Sequence, residues 1–299
     1  MSHPRHFITG TELTRAELAA VVERGLEMKS AGRAGPRPLQ DRTVALLFEK
    51  PSTRTRVSLQ VGISQLGGHG ILLRGEELQL ARGESVKDTA LVLSRYVDAI
   101  AVRIGDHSLL EELARYASVP VVNALTPLHH PCQALADLQT LRERFGHMEG
   151  LRVAYVGDGN NVCHSLMLLG ARAGVEVVAA TPEGLRPDDA ILAEAGNLAR
   201  VVEDPADAAA GAHAVYTDVW VSMGDEADSA RRRKLLEPYR LDSGLLARAR
   251  EDAVVMHCLP AHPGEEITAD LLYGERSAVW DQAENRLHAQ KALLEALLA

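Results

Sequence analysis

The sequence predicts an α/β fold with two doubly wound parallel-sheet domains joined by helices, and with the C-terminal helix packing back on the first domain. Short segments that are apolar at nearly every position recur along the chain, which is typical of strands buried on both faces of a parallel sheet. Amphipathic stretches with helix-start signals separate these segments. At 299 residues and 46% hydrophobic content, the chain is long enough for two such domains.

Eight apolar segments fit short strands, at residues 43–48, 71–74, 99–103, 119–123, 151–156, 175–180, 214–218 and 253–259. Capping signals mark the helices between them. Ser85 and Ser108 are each followed three residues later by an acidic residue, as in a capping box, and Asp204-Pro205 places a cap before a first-turn proline.

The domain boundary is predicted near residues 135–150. A helical stretch over 131–145 stops at Gly146, and a new strand follows shortly afterwards. We therefore expect one domain over 1–135 and a second over 150–282. Residues 283–299 form a helical run with no strand after it, so this segment is expected to return to the first domain.

Charge and composition exclude several classes of function. The net charge of −9 argues against a nucleic acid or an anionic membrane as partner, because both attract an excess of Lys and Arg. The basic run Arg231–Lys234 is flanked by acidic residues and is interpreted as a solvated helix face. Neither a signal-peptide pattern nor a membrane-spanning apolar run is present, and the three cysteines form no Cys-x-x-Cys pair. A cytoplasmic location is expected.

The segment Ser52-Thr-Arg-Thr-Arg56 has the composition of an anion-binding site. It follows a predicted strand and Pro51, where a helix is expected to begin. The first N–H groups of a helix lack partners, and hydroxyl and guanidinium groups add donors that suit phosphate. The alternative is that Ser52 is only an N-cap and that the arginines are solvated surface residues. Two arginines among the hydroxyls favour the phosphate site.

Polar motifs also follow five other predicted strands, where open α/β sheets bind their ligands. Because the carboxyl ends of parallel strands share one edge, we expect one cleft to collect these motifs. They are Arg103, His130-Pro-Cys-Gln133, Gly157-Asp-Gly-Asn-Asn161, Asp218-Val-Trp-Val-Ser-Met-Gly224 and His257-Cys-Leu-Pro260.

Taken singly, some motifs suggest other chemistry. Gly157-x-Gly159 resembles the start of a dinucleotide fingerprint, but Val162 stands where the third glycine belongs. His257 and Cys258 are adjacent on a strand and point to opposite faces, so they do not form a nucleophile-base pair there. The group around His129 lacks a second ligand cluster for a metal. We predict neither metal nor organic cofactor.

Four motifs in this order resemble the aspartate/ornithine carbamoyltransferases: Ser52–Arg56, His130–Gln133, Asp218-x-x-x-Ser-Met-Gly224 and His257–Pro260. The last two are similar to the ornithine branch of that family. The resemblance spans nearly the whole chain. It implies transfer of the carbamoyl group of carbamoyl phosphate to the δ-amine of L-ornithine, giving L-citrulline and phosphate, with ordered binding of carbamoyl phosphate first and domain closure over the substrates.

The resemblance also implies residue roles. Catalytic residues would be Arg103, His130, Gln133, Asp218 and Cys258. Carbamoyl phosphate would be bound by Ser52, Thr53, Arg54, Thr55, Gln79, Arg103, His130, Pro131, Cys132, Gln133, Cys258, Leu259 and Arg286. Ornithine would be bound by Asn161, Asp218, Ser222 and Met223. Gln79 matches a loop that in this family reaches a neighbouring subunit's site, which implies a homotrimer or a multiple of trimers.

One position departs from the family pattern. Gln60 stands where the family carries Glu, so we expect a nearby arginine to be less well paired. Alternative functions are transfer to another amine (N-acetylornithine, putrescine or aspartate), a non-catalytic metabolite-binding relative, and an NAD-dependent oxidoreductase. The Ser-Met-Gly sequence argues against the other acceptors, and the intact polar motifs argue against a non-catalytic relative.

Overall fold

The computed structural model describes residues 5–32, 35–79, 83–221 and 228–298, which divide into two compact units. Unit 1 comprises Met1–Gln139 and Asn285–Ala299, and unit 2 comprises Thr140–Glu284. Each unit contains one parallel sheet with helices around it. The predicted fold class is therefore confirmed.

The sheet of unit 1 has the strand order β2-β1-β3-β4, and every neighbouring pair is parallel. Its central strands are buried at nearly every position, whereas the edge strand β2 is partly exposed throughout. The strands are β1 (Thr43–Phe48), β2 (His69–Arg74), β3 (Ala99–Arg103) and β4 (Val121–Leu125).

The first five helices are α1 (Arg15–Ala31), α2 (Thr53–Gln65), α3 (Val86–Leu93), α4 (His107–Tyr116) and α5 (Pro131–Phe145). Ser85 caps α3 as predicted, because its side chain accepts a hydrogen bond from the Asp88 amide at 3.0 Å. Helix α4 begins earlier than predicted. Its N-cap is Asp106, whose carboxylate accepts hydrogen bonds from both the amide and the hydroxyl of Ser108. Ser108 therefore lies inside the helix and is not its cap.

The sheet of unit 2 has the order β7-β6-β5-β8-β9 and is also parallel throughout. Strand β7 was not among the predicted segments. It is a four-residue edge strand that is buried only at its first position, Ala199. The strands are β5 (Arg152–Val156), β6 (Glu176–Ala180), β7 (Ala199–Val202), β8 (Ala214–Thr217) and β9 (Val254–His257).

The remaining helices are α6 (Asn161–Ala173), α7 (Asp189–Ala195), α8 (Pro205–Ala209), α9 (Ser229–Leu236), α10 (Ser243–Leu246), α11 (Ala269–Leu272) and α12 (Val279–Leu298). Asp204 caps α8 and Pro205 fills its first turn, as predicted. Helix α6 ends at Gly174, which has the left-handed conformation (φ 81°) that glycine adopts without strain. Among the helices that the structure describes, none is long and apolar enough to cross a membrane.

The C-terminal part of α12 packs within unit 1, as predicted. Ser58 of α2 donates to Gln290 at 2.8 Å, and Lys291 donates to Gln65 at 3.0 Å. On another side of the helix, Glu295 accepts a 2.6 Å bond from the Arg24 guanidinium of α1. The last helix of the chain is thus an integral part of the first unit.

Each sheet contains one point where the strand order reverses. In unit 1 it lies between β1 and β3, and in unit 2 it lies between β5 and β8. Loops that leave neighbouring strands at such a point diverge to opposite faces of the sheet and open a crevice at its carboxyl edge. The polar motifs of the sequence leave these strands.

Candidate active site

Ser52 occupies the N-cap position of α2, but its side chain does not cap the helix. Its backbone has the extended conformation of an N-cap (φ −155°, ψ 112°), yet its side chain makes no capping hydrogen bond. Thr53 and Arg54, the first two helical residues, are exposed. The interpretation of Ser52 as a simple N-cap is therefore not supported. The start of α2 offers amide, hydroxyl and guanidinium donors to an anion.

Arg286 of α12 joins the start of α2 to the start of α5. It is 4% exposed. Its guanidinium donates to the Thr55 hydroxyl at 2.8 Å and to the Gln133 side-chain oxygen at 2.6 Å, and it lies 3.3 Å from His130 Nε2. Charge-assisted bonds of this kind fix both geometry and orientation.

Arg103 ends β3, next to β1 at the point where the strand order reverses. Burial, together with the positive charges of Arg286 and Arg54, lowers the pKa of Arg103 to about 10. In the described part of the chain, Arg103 and Arg54 form no salt bridge, and the buried Nε of Arg103 has no acceptor. Three guanidinium groups are thus held together, and an anionic ligand would satisfy them.

His130 precedes α5 and is buried beside Arg286. Burial, with the positive charges of Arg286 and Arg103, holds the pKa of His130 well below its ordinary value of 6.5. The ring is therefore neutral at neutral pH. Because a guanidinium can only donate, Nε2 is the acceptor in this contact and Nδ1 carries the proton.

The other predicted residues of α5 are buried inside unit 1. The Gln133 amide donates to Asp137 at 2.8 Å while its oxygen accepts from Arg286, so Gln133 holds the arginine in place. Burial raises the pKa of Cys132 to about 12, and its Sγ contacts the Asn123 carbonyl at 3.3 Å. Cys132 is therefore an inert thiol, and Pro131 is the buried first residue of the helix.

Gln79 takes no part in the contacts that join Thr55, His130, Gln133 and Arg286 in the described residues. Gln79 is exposed, and its side chain makes no hydrogen bond to any residue that the structure describes. Residues 80–82, which follow it, lie outside the described residues. Its backbone carbonyl accepts the Glu84 amide at 3.1 Å. The structure of unit 1 therefore brings together Thr55, His130, Gln133 and Arg286, with Arg103 beside them, but not Gln79.

In unit 2, Asp218 and Cys258 are brought together by strand register. Thr217, the last residue of β8, pairs with His257, the last residue of β9. The residues that follow, Asp218 and Cys258, therefore lie side by side at the carboxyl edge of the sheet. The Cys258 thiol donates to Asp218 Oδ1 at 2.8 Å. Asp218 is 7% exposed, and the Val219 amide donates to the same oxygen at 2.8 Å. The carboxylate therefore has a fixed orientation.

The second oxygen of Asp218 is held from the loop after β5. Asn160 Nδ2 donates to Asp218 Oδ2 at 2.7 Å. The Asn160 oxygen accepts the amides of Val162 and Cys163, which makes it the N-cap of α6, and it also accepts the Tyr155 hydroxyl at 3.1 Å. Asn160 thus connects the two strands at which the order of this sheet reverses.

His257 and Cys258 have different hydrogen-bond partners, but the strand alternation predicted for them does not hold, because β9 ends at His257 and ligand atoms of the two residues lie within 4.8 Å of each other. His257 Nδ1 accepts the Leu259 amide at 2.9 Å, so Nε2 carries the proton and donates to Glu266 at 3.2 Å. Both His257 and Glu266 are fully buried. This pair holds the turn on which Cys258 and the partly buried Leu259 lie.

Family models match both halves of the chain. A model described as "Aspartate/ornithine carbamoyltransferase, carbamoyl-P binding domain" matches residues 5–143, and one described as the "Asp/Orn binding domain" matches residues 149–297. The chain belongs to the aspartate/ornithine carbamoyltransferase family. The resemblance inferred from four motifs is thereby confirmed.

Individual members of the aspartate/ornithine carbamoyltransferase family are similar over nearly the full length. An ornithine carbamoyltransferase of Thermococcus kodakarensis is 50% identical over 95% of this chain and 93% of its own. One of Acidothermus cellulolyticus is 53% identical over 98% and 96%. The solved structure of the Pyrococcus furiosus enzyme gives a TM-score of 0.93 at 48% identity, covering 98% of this chain and 96% of the other.

Two residues of the family site fall outside the residues that the structure describes. Ser222 and Met223 lie in 222–227, outside the described residues.

Gln60, the position that departs from the family pattern, follows Arg56 by four residues on α2 and lies on the same helix face. Within the described part of the chain, the buried Nε of Arg56 has no hydrogen-bond partner. The carbamoyltransferase pattern of Glu at this position would place a carboxylate there.

Asn160 was not among the predicted site residues, whereas its neighbour Asn161 was assigned to ornithine from the family pattern. Asn161 is the first residue of α6 and is partly buried. The signal that distinguishes the two is helix capping, since Asn is preferred at the N-cap and the next residue begins the helix. Asn160 is thus the residue that orients Asp218.

Two groups of side chains in the described residues have ligand atoms within 4.8 Å of one another, as in metal sites: Asp218 with His257 and Cys258, and His262 with Glu265 and Glu266. In the first group, both ring nitrogens of His257 already have protein partners. In the second, Glu265 accepts a 3.0 Å bond from Arg233. A cation would have to displace these contacts. The absence of a metal from the reaction stays a prediction.

Proposed function

We propose that this chain transfers the carbamoyl group of carbamoyl phosphate to the δ-amine of L-ornithine, giving L-citrulline and phosphate. The observation that carries the proposal is the group of arginines in unit 1, where Arg54 and Arg103 have no carboxylate partner in the described chain. Unit 2 supplies the opposite charge in Asp218, which suits a cationic amine. The two units thus suit the two substrates, a dianion and a diamino acid.

The phosphate of the donor would bind at the start of α2. Ser52, Thr53 and Arg54 offer donors there that no helix cap consumes. Arg286, which is held by Thr55 and Gln133, adds a second guanidinium in a fixed position. An arginine that is already immobilised loses little side-chain entropy when it binds its ligand.

The carbamoyl oxygen would be stabilised by Arg103 and His130. Attack by an amine on the carbamoyl carbon develops negative charge on that oxygen, and donors fixed in advance stabilise it most. His130 is neutral, so it donates a hydrogen bond from one nitrogen without carrying a charge. Arg103 supplies the charge, and its low pKa of about 10 reflects a cation that lacks an anion.

The acceptor would be held by Asp218 and Asn161, with Ser222 and Met223 assigned from the family pattern. Asp218 is locked by Asn160 and by Cys258, so it binds an ammonium group with little reorganisation. Cys258 and Leu259 would lie where the donor and the acceptor meet. The chain would provide binding and orientation there rather than a nucleophile.

The chemical step is one acyl transfer. The δ-nitrogen forms a bond to the carbamoyl carbon, and the bond from that carbon to the phosphate oxygen breaks. The amine must first be neutral, because an ammonium group has no lone pair. The proton that the nitrogen loses would leave with the departing phosphate, which balances the step without a metal or a covalent intermediate.

A homotrimer with shared sites is part of the proposal. Apolar side chains on α2, on α3 and in the turn after α3 are exposed, with Val57 at 47%, Leu91 at 44%, Val92 at 46% and Tyr96 at 74%. A surface of this kind is typical of a subunit interface. Gln79 is exposed on the same unit and would reach a neighbouring subunit's donor site. A cytoplasmic location is also proposed, in keeping with three free cysteines.

The test is turnover by the purified protein with carbamoyl phosphate and a panel of amines: ornithine, N-acetylornithine, putrescine and aspartate. Formation of the ureido product and release of phosphate are measured together. We expect rapid citrulline formation with ornithine alone. Turnover with another amine would reassign the acceptor residues, and binding of carbamoyl phosphate without any turnover would indicate a non-catalytic relative.

A pair of variants tests the acceptor site. Asp218→Asn removes the buried charge, whereas Asp228→Asn removes an exposed one that pairs with Arg231. We expect the first variant to lose ornithine turnover and to keep carbamoyl phosphate binding. The second should behave as the wild type. Equal effects of the two variants would refute the role of Asp218.

A further inference from the structure

Three consecutive arginines on α9 have three different environments. The sequence predicted that Arg231–Lys234 forms a solvated face, and this holds for the two outer arginines. Arg231 pairs with Asp228 and Arg233 pairs with Glu265, and these two arginine side chains are 64% and 48% exposed, respectively. Arg232 is different, because its side chain and that of its partner Asp158 are each 11% exposed.

Arg232 binds two loops at once. One of its terminal nitrogens donates to Asp158, which follows β5, and its Nε donates to the Trp220 carbonyl at 3.0 Å, after β8. These strands are neighbours in the sheet and flank the point where the strand order reverses. A planar guanidinium with donors on two edges is suited to this geometry, and a lysine is not.

The two loops carry the residues assigned to the acceptor. Asn160 and Asn161 follow Asp158 directly, and the Asn160 amide donates to the Asp158 carbonyl at 2.7 Å. Asp218 lies two residues before Trp220. The distance between the two loops, and therefore between Asn161 and Asp218, is set by the Asn160–Asp218 bond and by Arg232.

Surrounding contacts make this arrangement rigid. The Gly159 amide donates to the Leu185 carbonyl at 2.8 Å, which fixes the loop after β5 on its outer side. The Arg240 guanidinium lies 5.8 Å from the centre of the Trp220 ring. Arg232 is thus a second connection between these two loops, beside the Asn160–Asp218 hydrogen bond.

We propose that the Arg232–Asp158 pair is a positioning device that sets the affinity of the site for ornithine. This inference rests on the proposed function. The pair touches neither the reacting amine nor the carbamoyl group. It acts by holding the Asn161 and Asp218 loops at the separation that the amino-acid end of ornithine requires.

The test compares the same substitution at three adjacent positions, Arg231→Gln, Arg232→Gln and Arg233→Gln. We expect Arg232→Gln to raise the ornithine KM by about tenfold or more, since small displacements of binding groups have effects of this size. The carbamoyl phosphate KM, which reports on unit 1, should stay within about twofold. The two outer variants should leave both constants within the same limit.

Further variants separate positioning from a general loss of folding. Arg232→Lys keeps the charge for Asp158 but cannot bind both loops as the guanidinium does, so it should recover only part of the affinity. Asp158→Asn should raise the ornithine KM, and the double variant with Arg232→Gln should be no worse than Arg232→Gln alone. Thermal unfolding of each variant is measured in parallel.

The outcomes separate this inference from the proposed function. An unchanged ornithine KM in Arg232→Gln would overturn the inference alone, as would an equal rise of both KM values with a lowered Tm. Additive effects in the double variant would show that the two residues act independently and would also overturn it. A wild-type protein that does not carbamoylate ornithine would overturn the proposed function and this inference with it.

Discussion

Substitution of Arg286 by glutamine tests the donor site most directly. The variant keeps a polar side chain but loses the charge and at least one of the bonds to Thr55 and Gln133. A hydrogen bond to a charged group contributes about 1.5–3 kcal/mol. Loss of one supporting bond and of the phosphate contact therefore costs about 3–6 kcal/mol, which lowers kcat/KM for carbamoyl phosphate by about 10²- to 10⁴-fold.

The same substitution changes the pH dependence. In the wild type, burial and then the charge of Arg286 depress the pKa of His130, so the ring stays neutral well below pH 6.5. Without Arg286 the pKa rises towards its ordinary value. Protonation of His130 then begins at higher pH, so the acid limb of the kcat/KM profile moves upward in pH.

The assay combines steady-state kinetics, measured as a function of pH, with thermal unfolding in the presence and absence of inorganic phosphate. Phosphate should raise the Tm of the wild type and have little effect on Arg286→Gln. The control is Arg24→Gln, which removes a salt bridge from α1 to the same helix and should change only stability, by about 1 kcal/mol or less. A wild-type carbamoyl phosphate KM and an unshifted acid limb in Arg286→Gln would refute the assignment.

Three further substitutions have defined outcomes. Arg54→Ala should raise the carbamoyl phosphate KM at least about tenfold with an unchanged Tm, since the side chain is exposed; unchanged kinetics would contradict the phosphate site. Gly159→Ala should lower stability by about 1–3 kcal/mol and raise the ornithine KM, because a Cβ would lie 2.6 Å from Pro187 Cδ; a wild-type unfolding midpoint would argue against this. Glu266→Gln should lower the free energy of unfolding by about 1–3 kcal/mol and reduce kcat, because Glu266 accepts the hydrogen bond from the buried His257 ring. Glu265→Gln, at the adjacent position, is the control, and equal effects of the two variants would argue against a role for the His257–Glu266 contact.

The fold was largely predictable because the strands of a buried parallel sheet have an unmistakable composition. All eight predicted segments overlap a strand, with ends that differ by a few residues. Strand β7 was missed for a physical reason. It has four residues, occupies the edge of the sheet and carries the exposed Arg200, so it has neither the length nor the continuous burial of the others.

The candidate site was predictable where side-chain type alone indicates chemistry. Arginines and hydroxyls after β1 and an aspartate after β8 point to an anion and an amine without knowledge of the fold. Side-chain type alone does not predict the different roles of two adjacent residues that are identical. Asn160 differs from Asn161 only by its position at a helix start. Arg232 differs from Arg231 by helical phase relative to Asp158, which is 74 positions away in the chain. Roles at the site remain predictions.

The placement of Arg286 on the final helix has a consequence for biosynthesis. Unit 1 is completed by residues 285–299, which follow all of unit 2 in the chain. During translation the first unit emerges without the helix that carries Arg286, Gln290 and Lys291. Thr55 and Gln133 therefore cannot form their hydrogen bonds to Arg286 until the end of the chain has been synthesised. A nascent chain that lacks α12 is therefore expected neither to finish folding its first unit nor to bind carbamoyl phosphate tightly. Donor binding would appear only once the polypeptide is nearly complete.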